Sequence, residues 1–358
     1  MDKINNIKTL LNNISLSEGA TFEYDENRIL DEYQKLSENK SSLAIKILSI
    51  FGGIIATIIF LVFLFFTGLY SSEIGVSIFG GVFILFAIFL NKEYDKTIIA
   101  TISVCTYITG FLLLTFGLVE METNNIVIFL IINSITMCSL FITQNYILSF
   151  ISILIISASS IFMIITNGVY NLIHLYITIC ISMLTYLMLN ESKLITSHIK
   201  ISKLYNPSRI GLIISVFFGL ITIGKRHLIP VSKNHIWLSS IVISLITIYL
   251  VYLISKINKI DTLKSKILIY TLSASILIPT ILSPSISGAI VIILLSFLIN
   301  YKTGLAIGII SFIYFISQYY YDLNLTLLTK SIILLSSGIL FLLFYLFTIK
   351  TSTHNEKI

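Results

Sequence analysis

IVIFLIINSITMCSLFITQNYILSFISILIISASSIFMII, residues Ile126 to Ile165, is an apolar run that only Thr143, Gln144 and Asn145 interrupt. As a single helix rising 1.5 Å per residue it would be about 60 Å long, twice the roughly 30 Å hydrocarbon core of a bilayer. It must fold back at Thr143-Gln144-Asn145 as a hairpin of two spans. The same length argument splits Ser285 to Tyr320 at Asn300, Tyr301 and Lys302. These two runs decide the fold class: an all-α, polytopic bundle of transmembrane helices.

Composition agrees. Of 358 residues, 56% are hydrophobic and 11% charged, and the mean hydropathy is +0.98. Soluble domains carry about 25% charged residues, so a soluble fold has no means of hiding this much apolar surface. The net charge of +6 is first explained by cytoplasmic loops that hold spans in orientation. No basic, aromatic-interleaved stripe accompanies it, so nucleic acid is not an expected partner. Cys105, Cys138 and Cys180 all sit in apolar stretches without metal-ligand spacing and read as small buried hydrophobes. No signal peptide is visible, because the first long apolar run begins near Leu43; the first span acts as an uncleaved anchor.

About twelve spans follow, at 44–69, 74–91, 97–119, 125–143, 146–166, 169–190, 209–225, 236–255, 265–282, 286–300, 303–321 and 329–349. Placing the N-terminus in the cytoplasm puts seventeen Lys and Arg on the cytoplasmic side near span ends. Only Lys225, Arg226, Lys233 and Lys330 fall on the other side. Because a missed span would invert every later loop, this asymmetry supports the alternation as well as an N-in, C-in orientation. The short segment 286–300 follows Pro279 and Pro284, so segments 265–282 and 286–300 read either as two spans or as a re-entrant pair.

Residues 1–43 form an amphipathic, helical cytoplasmic region, and 350–358 a short cytoplasmic tail. Ile4, Ile7, Leu11 and Ile14 recur at helical spacing, as do Ile29, Tyr33 and Leu36 within a second segment from Asp25 to Glu38. Acidic side chains outnumber basic ones here, so docking on the protein's own loops or on a partner is expected rather than adhesion to anionic lipid.

No charged side chain falls near the centre of a span, which disfavours a proton relay. His174 and Gln318 lie near span ends and read as interfacial. Polar groups gather instead on the outer face. The candidate cluster is Glu120, Glu122, Lys225, Arg226, His227, Tyr321, Asp322, Thr326 and Lys330. Lys225 and Arg226 oppose the positive-inside pattern and have two explanations. They form an anion site for a phosphate headgroup or carboxylate, or they pair with Glu120, Glu122 or Asp322 and snorkel to water. Asp322, Thr326 and Lys330 are successively four apart and share one face if that stretch is helical. Tyr319 to Tyr321 fit an interfacial tyrosine belt. His174, His227 and His235 are scattered over three loops, so no metal site is expected, nor any cofactor. Catalytic motifs such as HExxH, GxSxG or a phosphate loop do not occur.

The segment Ser283-Pro284-Ser285-Ile286-Ser287-Gly288-Ala289, the following hairpin, the run from Tyr319-Tyr320-Tyr321-Asp322-Leu323 to Leu327-Leu328-Thr329-Lys330-Ser331, and Ser337-Gly338 in the last span together resemble a bacterial membrane-protein family, domain of unknown function 4401. The likeness is specific over residues 283–349. It implies a multi-pass protein of the bacterial cytoplasmic membrane that accompanies other membrane modules; it names no reaction and no catalytic residue. The family more usually has a Pro-Gly turn at this place; this chain departs from that pattern at Ser287, which weakens the expectation of a tight turn at Ser287-Gly288.

Three functional readings result. The first is a non-enzymatic component of a membrane complex, with membrane lipid and another membrane protein as partners. The second is a transporter or lipid-headgroup handler with an outer-face anion site. The third is a membrane enzyme acting on a lipid-linked substrate.

Overall fold

The structure, a computed structural model, describes residues 9–13, 16, 25–27, 29, 43–93, 97–143, 145–224, 230, 235–260, 262–281, 283–322, 326, 328–329, 331–332, 335–336, 338–339 and 342. Every regular element among them is helical, as a bilayer demands: hydrocarbon offers no hydrogen-bond partners, and a helix satisfies its backbone within one segment. The helices are α1 (Leu43–Phe66), α2 (Glu73–Glu93), α3 (Thr97–Glu120), α4 (Asn125–Ile142), α5 (Tyr146–Thr166), α6 (Leu172–Leu189), α7 (Glu191–Ser197), α8 (Ile199–Gly224), α9 (Ile236–Ile257), α10 (Leu263–Thr280), α11 (Pro284–Leu298) and α12 (Lys302–Asp322), with a 3-10 turn at Leu69–Ser71.

Eight of these, α2 to α6, α8, α9 and α12 without α7, are long and apolar enough to cross a membrane. The described apolar part of α1, Ile55–Phe66, and α11 are shorter. The expected twelfth span and the N-terminal amphipathic pair lie for the most part outside the described residues. Within that pair, the Ile29 N–H donates to the Asp25 carbonyl at 3.1 Å, one helical turn.

The run from Ile126 to Ile165 breaks at Thr143, whose backbone is extended (φ −93, ψ 129) between α4 and α5. The second run breaks at Asn300, which takes a left-handed conformation (φ 56) between α11 and α12. Asn tolerates that region because its short polar side chain bonds locally.

The helix that contains the expected seventh span, 209–225, is longer than that span: α8 begins at Ile199 and runs through Pro207. Proline removes a single ladder hydrogen bond, here the one to the Lys203 carbonyl, and kinks the helix without ending it when the flanking turns are held by packing. Pro207 and its neighbour Tyr205 are both buried. The family's Pro-Gly turn, weakened in this chain by Ser287, is not formed at Ser287-Gly288. Both residues lie inside α11, and the chain turns earlier, between Thr280 and Pro284. Pro284 occupies the first turn of α11, where its missing N–H costs nothing.

By packing, the chain divides into two compact units, residues 1–148 and 149–358. In the first, α2 and α3 lie in intimate contact and α1 packs on α3. A Cβ built on Gly80 would stand 2.5 Å from the Leu114 nitrogen, and one on Gly110 2.9 Å from the Gly80 carbonyl oxygen. Backbone therefore meets backbone. Close approach through small residues is how helices gain packing energy in lipid, where no hydrophobic effect drives them together. The Ser103 hydroxyl donates to the Ala87 carbonyl across this interface at 2.8 Å, and Tyr107 hydrogen-bonds Ser139 to tie α3 to α4.

The second unit is built around α11. This helix packs on α6, α8, α9, α10 and α12. Ten of its 15 residues are buried, against four of 21 in α12, so α11 is the axis and α12 a peripheral member. At 15 residues it is about 22 Å long, shorter than the hydrocarbon core. The Ser285 hydroxyl donates to the Leu220 carbonyl at 3.1 Å and the Ser240 hydroxyl to the Ile281 carbonyl at 2.7 Å, which lock the N-terminal end of α11 to α8 and α9.

Candidate functional site

The polar residues singled out in the sequence are dispersed over several elements. Glu120 is the last residue of α3, and Glu122 sits in the following turn at φ 51; both are exposed and belong to the first unit. Tyr321 and Asp322 end α12 in the second unit, also exposed, with the Tyr320 and Tyr321 rings edge to face at 5.5 Å. Thr326 is non-helical. Its hydroxyl lies 2.8 Å from that of Thr329 and accepts the Thr329 N–H at 3.3 Å, the geometry of a helix N-cap. Lys225, Arg226, His227 and Lys330 lie outside the described residues. Among the described residues no group of three or more His, Cys, Asp and Glu could hold a metal ion.

Two residues expected at the interface lie inside the second unit. His174, in the first turn of α6, is 0% exposed. Its Nδ1 is 2.9 Å from the Ser239 hydroxyl of α9, and that hydroxyl donates to the Ile236 carbonyl at 3.2 Å. Which atom donates between imidazole and serine depends on the imidazole tautomer. The other ring nitrogen, Nε2, is buried without a partner. The Gln318 Oε1 atom of α12 is likewise buried and unpartnered, close to where Gly224 and Ser285 meet.

The other end of the same helices holds a charged site. Arg209, one turn after Tyr205 on α8, stacks its guanidinium on the Tyr301 ring with 3.7 Å from Cζ to centroid. The Tyr205 ring lies 5.1 Å away on the same measure. Nη2 donates to Asn206 at 2.8 Å. Nη1 faces Glu191 at 3.4 Å, a long ion pair with the arginine side chain 11% and the glutamate 33% exposed. The Nε–H and the Ser296 hydroxyl are buried without a partner, whereas the buried Tyr205 hydroxyl faces the Arg209 guanidinium and the Glu191 carboxylate. Ser296 is on the last turn of α11, where Gly304 makes room for it and for Tyr301: a Cβ there would lie 2.5 Å from both. Each buried polar group left without a partner costs about 1–3 kcal/mol. In the sequence Arg209 was only one of the orientation charges. The usable signal was its spacing, because Tyr205 and Asn206 lie four and three residues before it on one helical face.

The first unit carries a groove of ≈ 300 Å³ at mid-length of α1, α2 and α3. Ala56, Thr57, Cys105, Thr106 and Thr109 form its small and hydroxyl-bearing part, and Phe60, Phe83 and Phe86 its aromatic walls, with Ile102 alongside. The Thr109 hydroxyl is turned to the Cys105 carbonyl at 2.8 Å, so part of the groove's polarity is satisfied within its own helix.

Helical, membrane-type architecture runs through both units, and a family model built for one domain of unknown function (DUF4401) matches residues 42–350. The chain belongs to the DUF4401 family. The match extends the likeness seen over residues 283–349 back to α1, so the glycine-packed α2–α3 pair, the groove and the Arg209 site all fall within the DUF4401 region. No curated protein and no solved structure matches the chain.

Proposed function

We propose that the chain is a non-enzymatic integral membrane component, of twelve spans with both termini cytoplasmic, that works in a complex with another membrane protein. The seventeen-to-four distribution of Lys and Arg supports the span count and orientation. The observation that carries the partner is the groove of the first unit. Small and hydroxyl-bearing side chains between aromatic walls suit a transmembrane helix, because in lipid helices associate by close packing and occasional interhelical hydrogen bonds. Three threonines and one cysteine line it at mid-length of the three helices.

Filling the groove tests this reading. The chain purified from its native membranes in a mild detergent is expected to carry a membrane-protein partner. Thr106→Trp, which puts a large ring into the groove, should lower the co-purified fraction at least tenfold, the effect of roughly 1.4 kcal/mol. Phe89→Trp, on an exposed position of α2 outside the groove, should leave it unchanged. A chain that runs as a monomer with bound lipid alone would sink the reading.

A further inference from the structure

We infer that the helix received by the groove of the first unit presents an uncharged polar side chain, Ser, Thr, Asn or Gln, that hydrogen-bonds the Thr106 hydroxyl. The inference rests on the partner proposed above and names what that partner must carry.

A threonine inside a helix in hydrocarbon ordinarily satisfies itself. Its hydroxyl donates to the carbonyl one turn back, since lipid tails offer no acceptor. The spans of this chain follow that rule: Thr109, Thr115, Thr136, Thr178, Thr185 and Thr247 each donate to the carbonyl four residues before, at 2.6 to 2.8 Å. Thr106 departs from it. It lies in the apolar length of α3 from Ile99 to Glu120, yet its hydroxyl bonds neither the Ile102 carbonyl nor any other group.

The exception stands in the groove. Ile102, Cys105, Thr106 and Thr109 are spaced to share one face of α3, and that face forms one side of the groove against residues of α1 and α2. Of the three threonines there, Thr109 is bonded within its own helix and Thr57 already has a partner. Thr106 is only half-buried, so its hydroxyl opens to the groove and is not walled in by the chain itself.

The lining decides what can meet that hydroxyl. No Asp, Glu, Lys, Arg or His is among the lining residues, so a charged group on the partner would be held there without a counter-charge. An acyl chain or a wholly apolar helix would fill the volume and leave the hydroxyl unpaired, which is costly away from water. A hydroxyl or carboxamide on the incoming helix pairs with it, and such bonds between helices add to close packing in lipid.

The partner is identified by replacing Phe86, a wall of the groove, with p-benzoylphenylalanine in the full-length protein, irradiating native membranes and sequencing the crosslinked peptide. That peptide is expected to come from an apolar span with one of the four polar residues within a turn of the crosslink. Thr106→Val keeps the shape and removes the hydroxyl. It should lower the co-purified fraction about fivefold, the effect of one interhelical bond of about 1 kcal/mol. Thr106→Ser restores the hydroxyl and should restore the fraction to within about twofold of wild type. Thr115→Val, on α3 outside the groove, should leave it unchanged. Exchanging the partner's polar residue for Ala should add no further loss to Thr106→Val, as expected of two halves of one bond. If Thr106→Val holds the partner as wild type does while Thr106→Trp loses it, the groove takes a helix by shape alone and this inference is overturned. Additive losses, or a crosslinked span without any of the four residues, overturn it too. A chain that holds only lipid overturns the partner as well.

Discussion

Gly80→Ala is expected to destabilise the first unit by about 3 kcal/mol, at the upper end of what one added methyl does in a packed interior. The magnitude follows from what the methyl meets. Its three nearest neighbours would be the Leu114 nitrogen at 2.5 Å, the Gly110 oxygen at 2.8 Å and the Leu114 Cα at 2.9 Å. All are backbone atoms of α3, and none can rotate away as a side chain does. The two helices must separate, which also loosens the contacts at Gly110 and at Gly117, whose own Cβ would stand 2.9 Å from the Ser77 nitrogen. The neighbouring position is the control. A Cβ on Gly81 has nothing within 4 Å, so Gly81→Ala should be neutral or stabilising by up to about 1 kcal/mol through helix propensity alone. Unfolding of both variants in the same detergent measures the difference. Equal stability of the two would mean that α2 and α3 do not pack through their glycines.

Ile292→Ala tests the other unit and should cost about 2 kcal/mol. Ile292 is at the middle of α11 and 1% exposed, in a cluster with Ile177, Val216, Leu220, Ile243 and Phe315. In a soluble protein such a truncation loses both transfer energy and packing. Here the unfolded reference remains in apolar surroundings, so the transfer part largely vanishes and the unfilled cavity supplies most of the effect. Phe297, on the same helix, is 61% exposed. Phe297→Ala removes more atoms yet should change stability by less than about 0.5 kcal/mol, as surface substitutions do. A Phe297 variant that proved the more damaging would show that α11 is not the axis of the unit.

The break at Thr143, the length of α8 and the place of α11 mark where the sequence is decisive and where it is not. Length against bilayer thickness was enough to break the run from Ile126 to Ile165, and the structure has its break at Thr143. It was not enough for α8. Pro207 and the lysines before it looked like a loop, because one proline and three charges outweigh a weak apolar signal until packing is known. Nor did α11 announce itself as central, since a short apolar segment flanked by prolines reads alike whether lipid or other helices surround it.

The candidate site was less legible for a related reason. His174 and Gln318 were placed at the interface by their distance from span ends, yet depth along a helix says nothing about which face a side chain takes. His174 is turned to Ser239 and Gln318 towards Gly224 and Ser285. Arg209 carried a charge that orientation already explained, so nothing in the sequence asked for its other partners.

What the sequence determined by itself is the class: an apolar, helical membrane protein, because hydrocarbon thickness and the need to satisfy the backbone act on each segment separately. What only tertiary structure decided is which residues meet. The backbone contact at Gly80 and the stacking of Arg209 on Tyr301 each join residues at least 30 positions apart, and the enclosure of α11 brings in helices as distant in sequence as α6. In lipid such pairings are selected by shape and by hydrogen bonds between helices. Hydropathy, the strongest signal in this sequence, is nearly the same for every alternative.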